Sequence, residues 1–358
     1  MKRSRLTQIT QRFVQWYGVH GRDLPWRRTA DPYHVWISEV MLQQTQVETV
    51  IPYYHRFLSR FPTVQHLATA AEDDVLKAWE NLGYYARARH VHRAARDMVE
   101  RFGGCVPSRW QDLSSLSGIG AYTAGAILSI AFGVSVPAVD GNARRVLSRL
   151  FAIQEPLDQT RTLRRIQELA ESLVPHTGAG RFNQALMDVG AVVCTPKCPR
   201  CDRCPVGEFC RAKAQGQQDM IPVKGKRKPL PYRQVTAAFV RNKDGRLLIV
   251  QRPRQGLLAG LWKFPGGRRL DGESLEVCVQ REVRKELGID LQVQRAVGSI
   301  RHAYTHFRIT LHAFKCRYTA GVPGALGCHD WRWVHRSCLD EFAFSRADRK
   351  IIAVFDRQ

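Results

Sequence analysis

Apolar side chains recur every three to four residues from Leu6 onward. Ile9, Phe13, Trp16 and Tyr17 share that spacing, and Val35, Trp36, Val40, Met41 and Val47 repeat it. The pattern is interrupted at Pro32, Pro52, Pro62, Gly103–Pro107, Gly118, Gly120, Gly133, Pro137, Pro156 and Pro175, which predicts many short helices up to about Ala214. Residues 216–232, ending in VKGKRKPLPY, are polar, basic and proline-containing and read as a linker. Beyond them the period changes. Val235–Arg241 and Arg246–Arg252 read as strands joined by a turn at Lys243-Asp244-Gly245. Ser274–Leu287 reads as a helix, and Val293–Ile300 and Phe307–Cys316 as further strands. The expected fold class is therefore multidomain: an all-α domain over residues 1–215, then an α/β domain over 233–358.

Composition narrows the function. The chain has 358 residues, 44% of them hydrophobic and 24% charged, which suits a soluble globular protein with two domains. No apolar run reaches the roughly 18 residues of a membrane span, so no membrane partner is expected. The start, MKRSRLTQITQRF, lacks the apolar core of a secretory signal, and a cytoplasmic location follows, at the nucleoid if the source is bacterial. The net charge is +23, and both halves carry it: 28 basic against 19 acidic residues over 1–215, and 23 against 12 over 233–358. Two basic halves predict a long polyanion gripped from both sides.

Five of the ten cysteines fall between Cys194 and Cys210. Cys194, Cys201, Cys204 and Cys210 are spaced C-x6-C-x2-C-x5-C. Four thiolates in one short loop can wrap a [4Fe–4S] cluster or a tetrahedral zinc ion. Cys198 offers a second spacing, C-x3-C-x2-C-x2-C. Lys197, Arg200, Arg203, Arg211 and Lys213 make the loop cationic, as phosphate contact requires.

Leu116-Ser117-Gly118-Ile119-Gly120 lies between helical stretches. Gly118 and Gly120 let the backbone approach a phosphate closely, with the next helix's amides aimed at it. Val139-Asp140-Gly141-Asn142 opens a helix over Ala143–Phe151. Asp140 serves there as a cap or, kept ionised by the helix dipole, as the stabiliser of a developing cation. Glu39 sits among Val35, Trp36 and Leu42, and burial there raises its pKa, as a general acid needs. Two acids in contrasting environments suit glycosidic-bond cleavage.

These stretches resemble the helix-hairpin-helix DNA glycosylase superfamily, and within it the MutY-type adenine DNA glycosylases. The likeness rests on GRDLPWR (Gly21–Arg27), WISEVMLQQTQV (Trp36–Val47), NLGYYARAR (Asn81–Arg89), LSGIG, GAYTAGAI (Gly120–Ile127), VDGN and the cysteine loop. The resemblance implies that Glu39 protonates N7 of an adenine flipped out of double-stranded DNA. Asp140 then stabilises, or transiently bonds to, the sugar cation, with Tyr122 and Asn142 positioning it. Arg22, Trp26, Arg27, Leu42 and Gln184 would line the adenine pocket, and Gln44 and Tyr84 would wedge into the stack. The cysteine loop would hold one [4Fe–4S] cluster. The endonuclease III type carries lysine where this chain has Tyr122, so the resemblance implies a monofunctional glycosylase; a monomer is expected. Ser117 replaces the proline usual in the family's hairpin.

GLWKFPGG (Gly260–Gly267), Glu273, Arg281-Glu282-Val283, Lys285-Glu286 and Gly288-Ile289 resemble the Nudix box. Its chemistry holds Mg²⁺ with carboxylates on one helix face. Lys285 stands where the box has glutamate. Its ammonium is expected to repel Mg²⁺ and pair with the neighbouring carboxylates, abolishing diphosphate hydrolysis. The family resemblance implies instead that Tyr304, Thr305 and His306 read 8-oxoguanine, so that the substrate is adenine opposite 8-oxoguanine or guanine.

Three other readings remain open on sequence alone. A bifunctional pyrimidine-lesion glycosylase would be trapped by borohydride. A nucleotide pyrophosphatase fused to a DNA-binding module would hydrolyse diphosphates with Mg²⁺. A metal-stapled DNA-binding protein would bind duplex without releasing a base.

Overall fold

The computed structural model describes residues 3–223, 225 and 229–357. Helices follow one another through the first part of the chain: α1 (Arg3–His20), α2 (Pro32–Met41), α3 (Val47–Arg60), α4 (Val64–Thr69), α5 (Glu72–Ala78) and α6 (Ala86–Phe102). Then come α7 (Trp110–Ser114), α8 (Ala121–Ala131), α9 (Gly141–Leu150), α10 (Thr160–Glu171), α11 (Ala179–Asp188) and the short α12 (Arg211–Ala214). The strands are β1 (Tyr232–Arg241), β2 (Leu247–Gln251), β3 (Trp262–Lys263), β4 (Asp290–Ala303), β5 (Arg308–Ala320) and β6 (Asp330–Val334). The helices α13 (Leu275–Leu287) and α14 (Arg346–Phe355) accompany them. No helix among the described residues is long and apolar enough to cross a membrane.

The chain divides into two compact units that do not follow chain order. One holds Met1–Thr69 and Arg93–Arg227, the other Ala70–His92 and Lys228–Gln358. A cut at residue 215 would leave Ala70–His92 with the first unit. Periodicity along α5 and α6 shows that one face is apolar, not which part of the chain covers it. Within the second unit, Glu80 accepts hydrogen bonds from Arg349 Nε (2.7 Å) and the Phe344 amide (2.9 Å), and Gln251 donates to Asp73 (2.7 Å).

In the first unit, Phe13 of α1 meets Phe182 of α11 edge-on, with ring centroids 5.8 Å apart. Val146 and Leu147 of α9 and Ile166 of α10 close the same cluster. Of the linker expected over 216–232, Lys224, Lys226, Arg227 and Lys228 lie outside the described residues. Its first residues are tied down: Ile221 is buried and its carbonyl accepts from Arg149 Nε at 2.8 Å. Its last residue, Tyr232, already belongs to β1.

The second unit is built on a sheet of order β3-β2-β1-β5-β4, with β6 paired to β2. β1 and β5 run parallel; β1–β2 and β4–β5 are antiparallel. Gly245, at φ 75°, closes the β1–β2 turn by donating to the Asn242 carbonyl. Alternation sorts the two faces. Ala237, Phe239, Leu247 and Ile249 pack with Ile351 and Ile352 of α14, while Ala238, Val240, Leu248 and Val250 pack with Val279, Val283 and Leu287 of α13. The sheet is thus covered on both sides, as an α/β domain requires. β4 and β5 are longer than the sequence pattern predicts, and Phe307 lies outside β5. Register shifts at Val293/Arg295 and Ala296/Gly298 break the alternation that would have marked their true ends.

Phe13 is fully buried, so Phe13→Ala leaves a cavity worth about 3–5 kcal/mol. Urea unfolding of the variant should show a correspondingly lower midpoint; an unchanged midpoint contradicts this packing.

Candidate active site

α2 carries Glu39. Asp31 caps the helix by accepting from the amides of Tyr33 (2.7 Å) and His34 (3.2 Å), and Pro32 opens its first turn. Val35 to Met41 are all buried, so Glu39 is carried inward with apolar neighbours and is only 5% exposed. From α8, Tyr122 Oη donates to Glu39 Oε2. Burial pushes the Glu39 carboxyl up, the Tyr122 hydrogen bond pulls it back, the Asp140 charge raises it again and Arg27 lowers it. It stands at about 7.

Asp140 caps α9. Its Oδ1 accepts from the Ala143 amide at 2.6 Å and its Oδ2 from Asn142 Nδ2 at 3.0 Å. The cap expected of Asp140 is thus present. Burial outweighs these donors, and the carboxyl lies above its ordinary value. Gly190, in the turn after α11, packs so closely that an added Cβ would fall 2.6 Å from Asn142 Cβ. Only glycine lets this turn approach the α9 cap.

Glu39, Tyr122, Asp140 and Asn142 line one cavity of about 1230 Å³. Arg22, Trp26, Arg27, Leu42, Gln44 and Gln184 line it too. Gly120, the N-cap of α8, sits at its edge, and the exposed Gly118 holds the α7–α8 turn at φ 77°. Sequence reasoning missed two groups behind this wall. Tyr17 Oη donates to Gln184 Oε1 at 2.8 Å. Asp188 is fully buried and accepts from both Arg22 and Arg27. An acid inside the apolar run Ala185-Leu186-Met187-Asp188-Val189, in a chain with two pocket arginines and no assigned counter-charge, was the signal available.

Tyr84, Tyr304, Thr305 and His306 lie in the second unit. The last three form the β4–β5 turn, closed by the Tyr304 amide donating to Phe307 O at 2.8 Å. Thr305 and His306 are exposed. The Tyr304 ring is half-buried, 4.8 Å from Phe307 and 4.6 Å from His302. Tyr84, at φ 48°, reaches Thr305 with Oη 2.6 Å from its Oγ1.

The expected pairing of Lys285 requires correction. Lys285 is exposed, and the box carboxylates are satisfied elsewhere: Glu286 by the buried Lys263 at 2.6 Å, and Glu273 and Glu282 by Arg281. Helical spacing puts position 285 near that face, but the apolar contacts of α13 turn it to solvent.

None of the ten cysteines forms a disulfide. Cys194, Cys201, Cys204 and Cys210 line one small cavity, whereas Cys198 is exposed and does not. The buried Arg149 braces the loop, donating to Thr195 O (2.7 Å) and Cys194 Sγ (3.3 Å). Burial raises the Cys204 thiol to about 12 and also raises Cys201 and Cys210. Among the described residues no three His, Cys, Asp or Glu side chains close on a single metal ion. The four thiols ring a cavity instead.

Residues 37–176 match the model of the HhH-GPD superfamily of base excision DNA repair proteins, and residues 236–354 match that of the NUDIX domain. The chain is 35% identical to the adenine DNA glycosylase of Homo sapiens, over 99% of this chain and 75% of that protein. It is 34% identical to the adenine DNA glycosylase of Buchnera aphidicola subsp. Schizaphis graminum, over 85% of each. A solved thermostable thymine-DNA glycosylase superposes with a TM-score of 0.55 at 28% identity, covering 59% of this chain and 98% of that one.

Tyr122 lowers the Glu39 carboxyl by donating to it, so Tyr122→Phe should move the Glu39 titration upward from about 7. Carboxyl ¹³C NMR on the variant checks this, and a downward shift contradicts the assigned bond.

Proposed function

The chain belongs to the adenine DNA glycosylase family, and on that premise we propose that it releases adenine mispaired with 8-oxoguanine or guanine from double-stranded DNA. It is a base excision repair glycosylase. The observation that carries the reading is a buried carboxyl near neutrality, Glu39, sharing one cavity with the helix-capping Asp140.

The adenine is flipped into the cavity between Trp26, Leu42 and Gln184. Glu39, protonated below about pH 7, gives its proton to N7. The C1′–N9 bond then breaks with its electron pair leaving on adenine, and the Asp140 carboxylate stabilises the sugar cation. Asn142 holds Asp140 Oδ2 in place, and Tyr122 orients Glu39. Water adds to C1′, its proton returns to Glu39, and an abasic site remains. No lysine occupies position 122, so no Schiff base forms there and the enzyme is monofunctional.

Gly118 and Gly120 meet the DNA backbone at the start of α8. Gln44 and Tyr84 fill the gap left by the flipped base, while Tyr304, Thr305 and His306 read 8-oxoguanine. The Tyr84–Thr305 hydrogen bond supports a joint role for the last two elements. Cys194, Cys201, Cys204 and Cys210 would hold one [4Fe–4S] cluster, since four thiols lining one cavity supply its donor set. The cluster would supply structural stapling of a cationic loop. The enzyme acts as a monomer in the compartment that holds the DNA.

Glu39→Gln keeps the shape of the side chain and removes the acid. Single-turnover adenine release from an adenine:8-oxoguanine duplex should fall about 10²–10⁴-fold, with duplex binding retained. Unchanged release overturns the assignment.

A further inference from the structure

Asp188 ends α11 behind the cavity wall and does not line the cavity itself. It is fully buried, and both carboxylate oxygens are saturated. Oδ1 accepts from Arg22 Nε (2.8 Å) and Arg27 Nη2 (2.9 Å); Oδ2 accepts from the Arg22 amide (3.0 Å) and Arg27 Nη1 (2.6 Å). A buried carboxylate is tolerated only with such partners. Although burial opposes its charge, the two arginines hold its carboxyl below the ordinary range.

The cost of losing it falls on the cavity. Arg27 spends both terminal nitrogens on Asp188, with a further bond from Nη1 to Arg22 O, and its guanidinium lies over the Tyr17 ring, 5.5 Å from the centroid. The hydrogen bond Glu39 receives comes from Tyr122. Arg27 therefore meets Glu39 only through its field.

We propose that Asp188 is a positioning residue that binds and neutralises Arg27, keeping its guanidinium from pairing with Glu39 and so keeping Glu39 protonated for catalysis. This deepens the reading in which Glu39 is the acid and rests on it. The groups acting on Glu39 are Tyr122 from α8, Asp140 at the start of α9 and Arg27 from the turn Pro25–Arg27. Those acting on Asp188 are Arg22 and Arg27, with Tyr17 of α1 alongside. Withdrawing the Asp188 charge leaves a freed cation beside Glu39, and every consequence has one sign. The Glu39 carboxyl loses its proton at a lower pH, and the alkaline limb of the rate profile moves down.

The test uses the full chain with its metal loop intact, comparing wild type, Asp188→Asn and Glu39→Gln in single-turnover adenine release between pH 5 and 9. For Asp188→Asn the alkaline midpoint should fall by about one pH unit, so that release is roughly tenfold slower above that midpoint and nearly unchanged well below it. An equal fractional loss at every pH, or an upward shift, overturns the proposal, because a merely structural role scales the whole profile. If Asp188→Asn does not fold, Arg27→Lys replaces it. An ammonium cannot span both carboxylate oxygens, so the midpoint should move in the same direction, and an unmoved midpoint overturns the proposal. Activity retained by Glu39→Gln would sink the underlying function instead, which keeps the two failures distinct.

Discussion

A carboxyl group enclosed by apolar side chains must either give up its charge or find a cation. Below about pH 7 Glu39 does the first. It is only 5% exposed in α2, it shares its cavity with Val35 and Leu42, and the phenol of Tyr122 gives it a hydrogen bond that needs no counter-charge. The surrounding architecture follows from that choice. α8 must pack against α2 to deliver Tyr122, the turn at Gly190 must crowd α9 to seat Asn142, and the two arginines that line the cavity, Arg22 and Arg27, must be balanced by an anion. Asp188 answers the last need.

The second unit solves a related problem in the opposite way. Its α13 carries carboxylates at positions where a diphosphate hydrolase would bind Mg²⁺, yet Lys263 and Arg281 hold them in internal ion pairs. The charge is kept and balanced from within. The fold then serves as a scaffold for the β4–β5 turn, whose exposed Thr305 meets Tyr84 within the same unit.

Much of this was legible in the sequence because its signals are local. Helical spacing marked α1 and α2, short apolar runs on either side of the Lys243-Asp244-Gly245 turn marked β1 and β2, and Asp140 before Gly141-Asn142 announced a helix cap that is present. Glu39 was legible because its neighbours at helical spacing are apolar. Long-range facts were not. Nothing in the residues around Glu80 tells that Arg349 will cover it, and the two-residue β3 is too short to show a period. Lys285 was misread because helical spacing gives a face, not the rotation that packing imposes on it. The burial that raises the Asp140 carboxyl depends on the whole cavity and is not written in its neighbours.

Infrared difference spectroscopy of the intact protein across pH 5–9, with Glu39→Gln as the subtraction control, observes the central acid directly. A protonated-carboxyl band that belongs to Glu39 and disappears with a midpoint of about 7 is the expected result. A Glu39 already ionised at pH 5, as an ordinary solvated glutamate would be, contradicts the account.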